Sequence, residues 1–314
     1  MNNPLLYFKQ KIEISLNRAL KNELGHSLFF DFDYNFSRNC FSSTILFNQS
    51  EKKKEQVIKL IDSLSLENFS IEINDLYINV FLASSIQKEL CSKIIDYLNH
   101  KNPSFKKCII NIYYLSSSSL EKIYVIKIFE IIRNLLSFYG YEAETNLIND
   151  INIRDDVKFE IKADDFAFSS SIADINIDDS LMDLYSIDFL NLALLSRNYS
   201  KKLILNENDL ALNVKNKYYL TAYTIARVNK SKKKTALRSN CLDESLLFPY
   251  LIQLSEVLEK EDTSLTISPI INLLVQLSND VFNNNKFFSL KETYAFNEFL
   301  KFITNICAFT FLNY

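Results

Sequence analysis

Eight lysines crowd into one stretch of the chain: Lys201, Lys202, Lys215, Lys217, Lys230, Lys232, Lys233 and Lys234. With Arg197, Arg227 and Arg238 they give residues 197–238 eleven bases against two acids. Clustered ammonium and guanidinium groups suit the binding of a polyanion, because each can replace a condensed counterion on a phosphate backbone. Residues 142–186 carry the opposite field, with twelve acids and three bases, while the whole chain has a formal net charge of only −3. A local field of this size matters more to a polyanion than the chain average does. Two solvated surface patches that neutralise each other would leave the same pattern.

Other chemistries are poorly supplied. The five cysteines, Cys40, Cys91, Cys108, Cys241 and Cys307, are isolated, and the only histidines are His26 and His100. Scattered thiols and two imidazoles make a poor metal set, so no metal is expected. The thiols read as small core residues of a protein in a reducing compartment, Cys108 and Cys307 among them, and the histidines as surface residues. Glycine occurs only at Gly25 and Gly140. Loops that cradle phosphate need clustered glycines so that backbone amides can approach the anion, which argues against a P-loop or dinucleotide enzyme. No cofactor is expected. No run of about eighteen uncharged apolar residues is present, and "MNNPLLYFKQKIEIS" lacks the apolar core of a secretion signal. A soluble, cytoplasmic protein with no membrane partner is the expectation.

A chain of 314 residues, 48% hydrophobic and 23% charged, suits two or three cores. Apolar residues at Leu5, Phe8, Ile12, Leu16, Ala19 and Leu20 predict a helix over 5–24. "EKKKEQVIKLIDSL" predicts a second helix. "FSIEIND" and "LYINVFLA" alternate with period two and predict paired strands, followed by a helix over "SSIQKELCSKIIDYL". These make an α+β module over residues 1–100. "KKCIINIYYL" predicts a buried strand, and a capped helix then runs toward Gly140, a left-handed C-terminal cap. This start of an α/β unit is expected to stop there, with a polar turn, a strand "VKFEIKA" and an acidic, serine-rich loop after it. From Ile187 onward helices are expected at 187–196, 218–230, 242–259, 269–283 and 289–312, an all-α bundle. The fold class is therefore α+β.

Asp188 to Arg197, "DFLNLALLSR", is similar to the D-A-L-R-F-F-L-L-S-R motif of arginyl-tRNA synthetases. Tyr218 to Val228, "YYLTAYTIARV", resembles that family's V-Y-Y-V-Q-Y-A-H-A-R-I, at the family's separation. "DESLLFPYLIQLSEVLEK" and "SPIINLLVQLSNDVFNNN" follow the order of its next helices. "IEINDLYINVFLASSIQKEL" resembles the strand pair of its N-terminal additional domain, with Asn79 at the signature asparagine and Leu76 in place of a glycine. "CIINIYYL" through Gly140–Tyr141 looks like the first catalytic strand and helix, and "FAFSSSIADINIDDSL" looks like the second signature.

The resemblance implies three segments. Residues 1–100 match the N-terminal tRNA-binding domain. Residues 101–186 match a truncated remnant of the Rossmann-like catalytic domain. Residues 187–314 match the DALR-type anticodon-binding helical domain of a class I synthetase. RNA-binding residues carried over or read from charge are Tyr223, Arg227, Lys230, Lys232, Lys233, Lys234, Arg197 and Asn79. Tyr223 would stack on an unpaired base and Arg227 would meet phosphate. The structural alternative puts Tyr223 in the core and pairs Arg227 with an acid. No catalytic residue carries over. "SLEK" at Ser119–Lys122 lacks the first signature's histidines, and Ser171, Ile172, Ala173 and Asp174 bring no positive charge to the second. Adenylation needs a cation-rich phosphate site, and most of the nucleotide-binding sheet has no counterpart between Asp150 and Val157. The implied function is a catalytically inactive paralogue that binds tRNA, with arginine tRNA the first candidate, as an accessory, regulatory or specificity factor. Its partners would be tRNA and a further tRNA-processing or aminoacylating protein. Two alternatives stay open: a protein-interaction scaffold without RNA, and a split arginine-tRNA ligase subunit.

Overall fold

The computed structural model describes residues 3–24, 28–62, 68–100, 106–114, 119–149, 157–173, 180–201, 205, 207–213, 215–231, 246–259, 267–283 and 294–309. Among these the chain forms two compact units. Residues 1–98 and 243–259 make one, and residues 99–242 and 260–314 make the other. The class is mixed α+β, with two small sheets and a C-terminal helical region.

In the first unit, helix α1 (Pro4–Leu24) leads to strands β1 (Phe32–Asn35) and β2 (Cys40–Ser43). A one-turn 3-10 helix (Ile45–Asn48) and α2 (Glu51–Asp62) lead to β3 (Phe69–Asn74), β4 (Tyr77–Leu82) and α3 (Ser84–Asn99). Leu5, Phe8, Ile12, Leu16 and Leu20 are all at most 2% exposed, so the predicted stripe of α1 is its core face. The sheet is antiparallel, in the order β1-β2-β4-β3. Strands β1 and β2, four residues each, are too short to announce themselves by period-two alternation. The β3–β4 hairpin turns through Asp75 and Leu76, both at positive φ, 49° and 67°. Two left-handed residues in a two-residue loop match the twist of the strands they join.

The second unit starts with β5 (Lys106–Tyr114), α4 (Ser119–Phe138) and β6 (Tyr141–Asn149). It continues with β7 (Val157–Ala163), β8 (Ala167–Ile172), α5 (Leu181–Leu184), α6 (Ile187–Leu195), α7 (Glu207–Leu210) and α8 (Lys217–Ser231). Helix α9 (Phe248–Glu259) belongs to the first unit; α10 (Ser268–Asn283) and α11 (Tyr294–Ile306) return to the second. Gly140, at φ 88°, ends α4 in the left-handed conformation expected of it.

The α/β unit does not stop at Gly140. Residues 141–149 form β6, parallel to β5 along its whole length. The stretch expected as a serine-rich loop forms β8 over residues 167–172, paired with β7. The sheet order is β6-β5-β7-β8, with β7 antiparallel to β5. One parallel crossover followed by an antiparallel hairpin is not a doubly wound sheet. Cys108, Ile110 and Ile112 of β5 and Phe159 and Ile161 of β7 are at most 2% exposed, and Phe129 of α4 meets Phe159 edge to face at 5.2 Å.

Candidate nucleic-acid interface

Three helices of the second unit hold the candidate surface. Ser186 caps α6, its Oγ accepting the Phe189 N–H at 3.3 Å. At the other end of α6, Ser196 is 7% exposed; its Oγ lies 2.7 Å from the Tyr218 hydroxyl, and its carbonyl accepts from Asn272 Nδ2 at 2.9 Å. One serine thus ties α6 to α8 and α10. Asn216 caps α8: its Oδ1 accepts the Tyr218 N–H at 2.9 Å, and its Nδ2 donates to the carbonyls of Asp209 and Ala211 at 2.9 and 2.8 Å. The asparagine fixes the start of α8 against the segment before it. Nothing in the local sequence marks it out, because an Asn ahead of a helix is common in a chain this rich in Asn.

The cap and the Ser196 tie set which face of α8 looks outward. Tyr218, Leu220, Ala222, Ile225 and Ala226 are buried. Lys217 and Tyr223 are exposed, and Tyr219 is half-buried between them. Tyr219 and Tyr223, one helical turn apart, stack with ring centroids 6.5 Å apart and planes 17° apart. Phe282, near the end of α10, meets Tyr223 edge to face at 6.4 Å. Tyr223 is 37% exposed and Phe282 42%. Three rings therefore form a ledge open to solvent, a form that suits base stacking. Lys217 extends across the Tyr218 ring at 4.9 Å, and Lys201 and Lys215 are exposed.

Tyr223 lies on the surface and not in the core. Arg227 and Lys230 fall in α8 four and seven residues beyond it, within the part of the helix described by its backbone. Lys232, Lys233 and Lys234 lie outside the described residues, as does Asp174. Arg197 is held in an ion pair, its guanidinium 2.5 Å from Asp209 Oδ2, with both side chains largely covered. This pair joins the end of α6 to α7. Asn79 is the clearest departure from expectation. It is 1% exposed inside the first unit, where its Oδ1 accepts from Ser42 Oγ at 2.7 Å across the β2–β4 pair. In this structure it joins strands and offers no atom to RNA. Phe282 was not anticipated as a site residue, since a phenylalanine in an apolar helix reads as core.

Ile172, at the position matching the second signature, is 1% exposed at the end of β8. Cys108 and Cys307 are buried, as expected of core thiols, and His100 is exposed. Among the described residues no group of His, Cys, Asp and Glu side chains could hold a metal, and no helix is long and apolar enough to cross a membrane. No family model matches the chain, and neither a curated protein nor a solved structure does.

Proposed function

We propose that the chain is a catalytically inactive relative of arginyl-tRNA synthetases that binds tRNA. It acts in the cytoplasm as an accessory, regulatory or specificity factor, with arginine tRNA the first candidate ligand. The ledge of Tyr219, Tyr223 and Phe282 carries this proposal. Exposed rings on a helix that leads into a lysine cluster combine the two things an unpaired RNA strand needs, a stacking platform and backbone neutralisation. The local excess of eleven bases over two acids at 197–238 supports it. The motif similarity at 188–197 and 218–228 adds the anticodon arm as the element bound.

Fluorescence anisotropy with labelled tRNA transcripts tests the binding. Arginine tRNA, a second tRNA and an unstructured RNA of equal length are compared at several salt concentrations. Tight, salt-sensitive binding with a preference for tRNA is expected; equal affinity for all three removes specific recognition. Arginine-dependent pyrophosphate exchange tests the chemistry, and none above a blank is expected.

A further inference from the structure

Strand β6 forms one edge of the second unit's sheet. Among the described residues it pairs only with β5, from Lys106↔Tyr141 to Tyr114↔Asn149, with no bulge. Its sequence, Tyr-Glu-Ala-Glu-Thr-Asn-Leu-Ile-Asn, contains no proline and no lysine. Proline and lysine are usual devices that stop an open edge from pairing with another chain; the charge on this edge is that of Glu142 and Glu144 alone. At the other end of the sheet, just past β8, the Ala173 N–H donates to the Tyr199 carbonyl at 2.8 Å. Beside its two exposed glutamates, the β6 edge presents apolar side chains to solvent. Leu147 is 76% exposed, Ile148 37%, and Ile126 on α4 59%. Thr145, Leu147, Ile112, Val125, Ile126 and Phe129 help line a cleft of about 470 Å³ between α4 and the β5–β6 edge.

We infer that β6 pairs antiparallel with β6 of a second copy of this chain, joining two four-stranded sheets into one of eight. The strand is self-complementary. Full overlap of its nine residues places the two-fold axis at Thr145. Tyr141 then faces Asn149, Glu142 faces Ile148, Ala143 faces Leu147 and Glu144 faces Asn146. Side chains alternate between faces, so Ala143 shares the α4 side with the cleft residues Thr145 and Leu147. On that side the exposed leucine of each copy meets the small alanine of the other, a large-against-small fit. On the opposite side each glutamate faces an uncharged residue. Registers centred on Ala143 or Glu144 instead oppose acid to acid, which is unfavourable for residues directly across a strand pair. Nine residues give an edge of roughly 30 Å.

Sedimentation velocity on the full chain, at concentrations up to about 100 µM, is expected to give twice the monomer mass of 36.6 kDa. Leu147→Lys should weaken association at least tenfold. Because Leu147 is 76% exposed, that change leaves the monomer core intact. Thr145→Cys, in a Cys241→Ser background, should give a covalent dimer on mild oxidation. Opposed Cα atoms in an antiparallel pair lie about 4.5–5.5 Å apart, within disulfide reach. Asn146→Cys should not crosslink, because its nearest copy sits diagonally at about 7–8 Å. The native thiols Cys40, Cys91, Cys108 and Cys307 are buried and will not compete. A monomer at every concentration overturns the proposal and leaves the edge to a foreign strand. A dimer untouched by Leu147→Lys, or equal crosslinking at 145 and 146, overturns it too.

Discussion

Lys9 Nζ and Glu256 Oε1 sit 3.0 Å apart, joining the first helix of the chain to a helix near its end. The same carboxylate oxygen accepts the backbone N–H of Tyr34 at 3.1 Å. Around it Tyr34 meets Phe248 and Phe36 meets Tyr250, both edge to face, at 6.0 and 5.2 Å. Asn3 Nδ2 donates to the Ser255 carbonyl at 2.9 Å. Helix α9 is therefore part of the first unit's core, although more than a hundred residues of the second unit separate it from that unit in sequence.

Glu256 does two jobs, and its variants separate them. Glu256→Ala removes the ion pair and leaves the Tyr34 N–H without its acceptor. Stranding a partly buried donor costs about 1–3 kcal/mol. Glu256→Gln keeps an acceptor for that N–H and loses only the charge interaction, which for a largely covered but not dry pair should cost about 1 kcal/mol or less. Urea unfolding of both variants checks this; equal losses would show that the backbone bond contributes little.

Leu76 occupies a left-handed position, φ 67°, in the β3–β4 turn. A side chain with a Cβ pays roughly 1–2 kcal/mol there, while glycine does not. Leu76→Gly also creates an Asp-Gly pair, the preferred chemistry of this two-residue loop. A gain of about 0.5–1 kcal/mol is expected after the extra freedom glycine gives the unfolded chain. A drop in the urea midpoint would mean that the leucine side chain packs more usefully than its backbone strains.

Strong periodicity made much of the fold legible. The stripe of α1, the alternation of β3 and β4, and the cap at Gly140 are local signals that the packing left unchanged. What escaped is non-local. Helix α9 shows the same apolar period whichever core it enters, so sequence order placed it with its neighbours in a C-terminal bundle. Strand β6 mixes acids with apolar residues because it lies at an edge, and an edge strand need not alternate cleanly. Asn79 carried a signature position, yet its amide is used inside the sheet. At the candidate interface the sequence supplied Tyr223 but not Phe282. Their contact depends on how α10 crosses α8, and no spacing within either helix encodes that.

Burial pushes the Cys307 thiol up to about 12, and it raises the hydroxyl of Tyr124 as well. A raised acid holds its proton more tightly when folded than when unfolded. The stability this supplies is complete below the ordinary thiol value of about 8.5 and is lost as pH climbs toward the folded value. Thermal unfolding midpoints should thus be level through neutral pH and fall between about pH 9 and 12. Cys307→Ala should make that fall shallower, at the cost of a small cavity. Tyr124→Phe should do the same with little or no loss at neutral pH, since the buried hydroxyl has no hydrogen-bond partner among the described residues. A pH profile identical in the parent and both variants would put the alkaline transition elsewhere.

The interface makes separate predictions for charge and for stacking. Changing Lys230, Lys232, Lys233 and Lys234 together to alanine removes four positive charges from the end of α8 and the residues beyond it. On single-stranded RNA each phosphate contact contributes about −0.7 to the slope of log affinity against log salt. The quadruple variant should therefore bind tRNA more weakly and with a slope flattened by about two to three units. Tyr223→Ala removes the ring that touches both Tyr219 and Phe282. If a base stacks there, the cost is about 1–3 kcal/mol with the salt slope unchanged. Phe282→Ala should weaken binding in the same way but less, since Phe282 meets Tyr223 only by its edge. Tyr218→Phe is the internal control. It loses the hydroxyl contact to Ser196 and so lowers stability, but its ring is buried and affinity should stay put. Anisotropy titrations across a salt series read all four. A quadruple lysine variant with the parent's affinity and slope would remove the α8 end from the binding site. Loss of affinity from Tyr218→Phe equal to that from Tyr223→Ala would reduce the ledge to a structural element.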